Sequence, residues 1–357
     1  RTPERSQSAV NSTHRNLAFL QTDDGRLEPL MAQDWNPQGS LLLDAQGFTH
    51  AVGAADSNGD GLLDLMVSDE PWYYPDNPRE SPSDPGGIYR RCSPDQSCQH
   101  VPIRLAEDRR RFGSFMGSGL LQIDDQGEFI YFTDLGPNRL VQVDNDTVRD
   151  IAATSGTALG NMGLEPIFSW GVVVDDFDRD GRDDLFVSNG TATIDSRAQL
   201  DAHFDVLMLQ RDQGHFVLHS ADLGITPFTQ SDSRNEERPY ASRATIKADL
   251  DGDGFIDLLT VGLEGVVRLH REVPNQRPDP PRCTLVPVDR YVSGFGVGHS
   301  IIPEGDPRPR QWDSQGQHRT GASPFVLTPW PRGVLRFPSG AEVSYDCQGQ
   351  AGPFVLH

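Results

Sequence analysis

Lysine is nearly missing from this chain: of 31 basic residues only one, Lys247, is a lysine. That shortage fits a GC-rich genome and implies no mechanism. Basic residues of any kind are outnumbered by 52 acidic ones, for a net charge of -21 and a pI near 4.7. Such a balance argues against a nucleic-acid backbone or an anionic membrane surface as partner and makes cations the natural ones. Long apolar runs are missing too. Stretches such as GVVV and LLTV suit short buried strands and fall far below the roughly 18 residues of a membrane-spanning helix, so no membrane insertion is expected. There is no G-x-S-x-G elbow, no H-E-x-x-H and no phosphate-binding glycine loop, which weakens an enzymatic reading without excluding one.

Cysteines are few, four in all, and fall into two natural pairs: Cys92 with Cys98 across CSPDQSC, and Cys283 with Cys347. The C-x5-C spacing, in a Pro/Asp/Ser-rich loop, is not a zinc pattern. Four cysteines allow three connectivities, with free thiols as the alternative, and an oxidising compartment fits best. A Cys283–Cys347 bond would contribute roughly 4 kcal/mol on the chain-entropy account. The chain begins at Arg1 rather than Met, as it would after removal of a leader or after trimming. The expected location is secreted, extracellular or periplasmic.

What the sequence has in abundance is aspartate in short loops. ADSNGDGLLDLMVSD (55–69), DDFDRDGRDDLFVSNG (175–190) and ADLDGDGFIDLLTVG (248–262) share one frame, D-x-[DN]-x-D-G-x-x-D-L. Oxygens recur at positions 1, 3, 5 and 9: Asp56, Asn58, Asp60 and Asp64; Asp176, Asp178, Asp180 and Asp184; Asp249, Asp251, Asp253 and Asp257. Calcium takes six to eight oxygen ligands, and a tight loop offers it alternate side chains plus the carbonyl at position 7, here Leu62, Arg182 or Phe255. Glycine at position 6 permits the sharp turn. An EF-hand would place glutamate at position 12, where Val67, Val187 and Thr260 stand, and each loop runs into a β-branched or aromatic stretch. The expectation is a strand–loop–strand hairpin holding calcium, about three structural ions in all. A solvated acidic turn is the plain alternative for any single copy; three copies at one spacing favour metal.

The motif glycines at 61, 181 and 254, with Gly127 from a degenerate copy at 119–136, lie 66, 54 and 73 residues apart. Each interval carries further strand-like stretches, about four short strands per repeat, which is the size of a propeller blade. On these loops the chain resembles the FG-GAP/VCBS repeat family, calcium-bearing β-propeller repeats also found in integrin α subunits, over roughly residues 16–272. The segment 283–347, with GFGVGHSI and GVLRFPSGAEV, resembles the ASPIC/UnbV domain of cartilage acidic protein and its bacterial relatives, although Phe337 stands where that family has tryptophan. The resemblance implies an all-β fold: a propeller of five to seven blades with a C-terminal β-rich segment. The expected organisation is an extension at 1–15, propeller repeats at 16–272, a Pro/Arg-rich linker at 273–282 and a C-terminal β domain at 283–357.

Three other features could carry chemistry or recognition. His215 and His219 share a strand face and could ligate a metal or trade protons, but no third ligand is near. Trp72, Tyr73 and Tyr74 lie in a proline-rich loop suited to sugar or protein recognition, or to packing over a sheet edge. Asn11, Asn145 and Asn189 head N-x-[ST] triplets at chance density. The functional expectation is a non-catalytic binding or adhesion module for an extracellular protein or glycan. The alternative is a propeller enzyme, a polysaccharide lyase or hydrolase with structural calcium.

Overall fold

The computed structural model describes residues 19–21, 26–29, 48–57, 62, 64–70, 86–90, 100–102, 113–123, 126–144, 147–160, 167–191, 204–219, 229–231, 237–239, 241–251, 253, 255–263, 265, 267–272, 283–287, 299–306, 309–311, 326–328, 330–337, 339–347 and 353–356. Asn58, Asp60, Cys92, Cys98, Asn11, Asn145, the aromatic loop at 72–74 and the segments 1–15 and 273–282 lie outside them. The described chain is all-β, with one α-helical turn at Ala152–Ser155 and a 3-10 turn at Asp212–Gly214.

A hairpin of β1 (Phe19–Gln21) and β2 (Leu27–Pro29) comes first. Sheet I follows as β3 (Phe48–Ala55), β4 (Asp64–Glu70), β5 (Gly87–Tyr89) and β6 (His100–Pro102). Sheet II is β7 (Phe115–Ile123), β8 (Gly127–Asp134), β9 (Arg139–Asp144) and β10 (Thr147–Asp150). Sheet III is β11 (Ser169–Asp175), β12 (Asp184–Asn189), β13 (Val206–Arg211) and β14 (His215–Leu218). After a hairpin of β15 (Thr229–Ser231) and β16 (Glu237–Pro239), sheet IV has β17 (Ser242–Ala248), β18 (Asp257–Gly262) and β19 (Val267–His270). All four sheets run up and down, each strand antiparallel to the next.

The sheets stack face to face in chain order through their first strands, β3 on β7, β7 on β11 and β11 on β17. Met66 and Ile88 of sheet I meet Phe115, Ile130 and Phe132 of sheet II. The other face of sheet II, with Leu121, Phe129 and Tyr131, packs on Val172, Leu185 and Met208 of sheet III. Phe186 and Leu207 of sheet III then meet Ile256 and Leu258 of sheet IV. Burial on both faces explains why β7 and β11 are buried at every residue, whereas the outermost β10 and β19 alternate between exposed and half-buried. Gly119 on β7 is required by the stacking, because a Cβ there would lie 2.8 Å from a Val174 methyl.

Each first strand is also bulged near its start against its partner, between Thr49 and Ala51, Phe115 and Gly117, Ser169 and Val172, and Ser242 and Ala244. The same irregularity in all four sheets marks them as one repeated unit, including sheet II, whose loop has lost the aspartate frame. Ile246, Val261, Val267 and Leu269 project from the far face of sheet IV and are exposed.

The C-terminal strands form two further sheets. One orders β23 (Val326–Thr328), β20 (Cys283–Pro287) and β26 (Pro353–Leu356), with β20 and β26 parallel. The other orders β22 (Arg310–Gln311), β21 (Ser300–Pro303), β24 (Arg332–Arg336) and β25 (Glu342–Asp346). Leu285, Ile301, Leu335, Phe337 and Tyr345 make their shared core, closed by the Cys283–Cys347 disulfide.

Candidate metal centres

Each aspartate frame sits where it was expected, between the first two strands of a sheet: loop 1 joins β3 to β4, loop 2 joins β11 to β12, and loop 3 joins β17 to β18. Position 1 follows the end of one strand and position 9 opens the next. The position-9 carboxylates, Asp64, Asp184 and Asp257, are buried to within 1% exposure. Each accepts the backbone N–H of position 2, from Ser57 at 3.1 Å, Phe177 at 2.8 Å and Leu250 at 3.1 Å. In loops 2 and 3 the position-1 carboxylate accepts the N–H of position 5, Asp180 to Asp176 and Asp253 to Asp249, both at 3.0 Å. Position 5 in turn accepts the N–H of position 7, Arg182 to Asp180 at 3.0 Å and Phe255 to Asp253 at 2.9 Å. Gly181 makes the turn at φ +87°, a backbone conformation that a residue with a Cβ adopts at a cost.

These bonds curl the loops so that side chains from alternate positions converge. Asp176, Asp178 and Asp184 each bring a carboxylate oxygen within 4.8 Å of the others, and so do Asp249, Asp251 and Asp253. Asp180 falls outside the first group; its carboxylate pairs with Arg182 and lies 3.5 Å from Arg211. Asp257 falls outside the second. Of the candidate ligands of loop 1, Asp56, Leu62 and Asp64 are among the described residues. The side chain of Arg182, a seventh-position residue, turns to the Gln210 carbonyl at 3.2 Å, and Phe255 is buried beneath the Arg179 guanidinium, 4.2 Å from the ring centroid.

Crowding leaves these clusters short of positive charge. Burial, reinforced by the neighbouring Asp178 and Asp176 charges, pushes Asp184 up to about 8 against the pull of the Gln210 and Phe177 N–H groups. Asp180 and Asp257 are likewise raised, burial first. Arginines supply part of the missing charge: Arg211 at the end of β13 stands 2.7 Å from Asp178, and Arg271 beyond β19 pairs with Asp251 and lies 3.8 Å from Asp253. The loop frame alone does not disclose either arginine, because each arrives from a strand that only sheet pairing brings alongside.

Lys247, in which the sequence shows no mechanism, has a structural task. Its Nζ donates to the Val174 carbonyl at 2.8 Å and to the Asp175 carboxylate at 2.6 Å, tying the root of loop 3 to the root of loop 2. His215 is exposed and His219 lies 3.5 Å from Arg211; neither joins a metal-competent group among the described residues. Asn189 is fully buried, accepting from Ser169 and donating to the Phe204 carbonyl, so its triplet is structural. No helix among the described residues is long and apolar enough to cross a membrane.

No protein-family model matches the chain, and no curated protein matches it either. What the loops do therefore rests on their own geometry.

Proposed function

We propose that the chain is a secreted, calcium-stabilised β-propeller acting as a non-catalytic binding or adhesion module for an extracellular protein or glycan. The observation that carries the calcium reading is the convergence of aspartates in two loops that share three internal hydrogen bonds, position 2 to 9, 5 to 1 and 7 to 5. The donor set is all carboxylate oxygen, which suits a hard cation and not zinc or copper. The raised Asp184 and the arginines leaning on Asp178 and Asp251 fit a site built for more positive charge than the protein supplies.

Calcium bound there supplies that charge. Asp176, Asp178 and Asp184, and Asp249, Asp251 and Asp253, would hold it in loops 2 and 3, with Asp56, Asn58, Asp60 and Asp64 in loop 1. Three divalent ions would take the net charge from -21 to -15 and relieve repulsion in hairpins that root the stacked sheets. The four repeated sheets are blades of one ring of five to seven. The exposed apolar face of sheet IV is what a further blade would cover. The disulfide fits an extracellular setting, where sites of roughly 10⁻⁴–10⁻³ M affinity would fill.

A calcium titration of chelator-stripped protein, followed by calorimetry and melting temperature, tests this reading. About three ions and a rise in melting temperature are expected. Melting that is the same with calcium and with chelator would overturn it.

A further inference from the structure

The ion loops also meet the C-terminal strands. Gln311 of β22 grips loop 1 at its first ligand: the Asp56 N–H donates to Gln311 Oε1 at 3.0 Å, and Gln311 Nε2 donates back to the Asp56 carbonyl at 2.9 Å and to Glu128 of sheet II at 3.0 Å. Its neighbour Arg310 donates to the carbonyl of Gly181, the turn glycine of loop 2, at 3.2 Å and lies 3.8 Å from Asp183. One dipeptide thus touches the loop ends of three consecutive sheets. It is itself held firmly, through β22–β21 pairing, the Trp330 ring 5.5 Å from the Arg310 guanidinium and Asp306 at 3.8 Å. The contacts described for loop 3 run instead to Arg271, Glu272 and Arg179.

We propose that Arg310 and Gln311 are positioning residues for the ion sites of loops 1 and 2, so that docking of the C-terminal strands and calcium binding at those two loops favour each other. The physical reason is preorganisation. Gln311 fixes both backbone groups of the first ligand of loop 1, and Arg310 fixes the carbonyl at the sharp turn of loop 2. Less backbone freedom is left to lose when an ion binds. Linkage makes the effect mutual: an ion that prefers the clasped loop must in turn strengthen the clasp.

The proposal rests on the calcium reading above, and one experiment separates the two. Full-length protein, Gln311→Ala, Arg310→Ala and, as a control on the exposed face of β24, Arg336→Ala are stripped and titrated with calcium by calorimetry. The expected result is that Gln311→Ala weakens one site and Arg310→Ala another, each by roughly five- to hundredfold, while the third site and the control stay unchanged. Equal weakening of all three sites, or of none, overturns the proposal and leaves the calcium reading standing. No binding by the unaltered protein removes the calcium reading itself, and the coupling with it. Should the variants fail to fold, hydrogen exchange of the Asp56 amide in the unaltered protein decides: protection must rise with calcium, and unchanged protection overturns the proposal.

Discussion

Two aspartates of loop 2 illustrate how one residue type does separate jobs. Asp184 is buried and serves two close backbone donors, Phe177 N–H and Gln210 N–H, each at 2.8 Å, besides the Asp178 N–H at 3.4 Å. Asp184→Ala leaves both donors unpartnered and should cost about 2–5 kcal/mol even in chelator, measured by urea denaturation. Asp180 is exposed, and its salt bridges to Arg182 and Arg211 are of the weak surface kind. Asp180→Ala should leave stability in chelator within about 1 kcal/mol while lowering calcium affinity at that loop; equal losses in chelator for both variants would contradict this division. His270, outside the aspartate frames, offers a pH test. Burial, with the Arg268 charge adding to it, holds the imidazole down at about 4, below its ordinary 6.5. A depressed histidine contributes stability above pH 6.5 that is lost as pH falls towards 4. Asp205, pushed up to about 6 by burial, acts oppositely, its contribution growing as pH falls through that value. His270→Gln should therefore flatten the loss of stability on acidification from pH 6.5 to 4, read from denaturation midpoints; an unchanged acid slope would show that the buried imidazole is not its source.

At the scale of elements, hairpin and stacking depend on each other. The aspartate frame ends one strand and begins the next, and the strands carry the apolar residues that join sheet to sheet. Gly119→Val tests that joint. The added side chain would press on Val174, and the expected cost is about 1–3 kcal/mol, seen as a lower urea midpoint. Lys247→Met removes a tie between sheets III and IV and leaves the largely buried Asp175 carboxylate without that cation. A loss of about 2–4 kcal/mol is expected, larger in chelator than in calcium if the ions neutralise the same region. The hairpins themselves were legible from spacing, down to the turn glycine and the ninth aspartate that opens the second strand. The arginines on the clusters, the lysine tie and the common bulge were not, because each depends on which strand lies beside which.

For the whole molecule, the repeat organisation was legible only in part. Loop spacing disclosed the repeats and the degenerate copy at Gly127, since turn chemistry is local and leaves a local mark. It did not disclose that the sheets stack in unbroken chain order through their first strands, or that the C-terminal strands reach back to them. The Cys283–Cys347 bond is present and spans 64 residues of sequence. Its reduction should lower the stability of the C-terminal core by about 4 kcal/mol. Denaturation with and without reductant, followed at Trp330, would show a shift confined to that transition; no shift would mean that the core holds without its bridge.

The sequence by itself determined the strand-rich character, the places of the three hairpin loops and the pairing of Cys283 with Cys347 as one of few choices. These follow from residue type at fixed short spacing, where covalent geometry leaves little freedom. Tertiary structure alone decided which aspartates converge, which arginines face them, what Lys247 is for and where Gln311 points. Those outcomes depend on contacts between residues as far apart as Asp56 and Gln311, and no local pattern records a neighbour that only folding supplies.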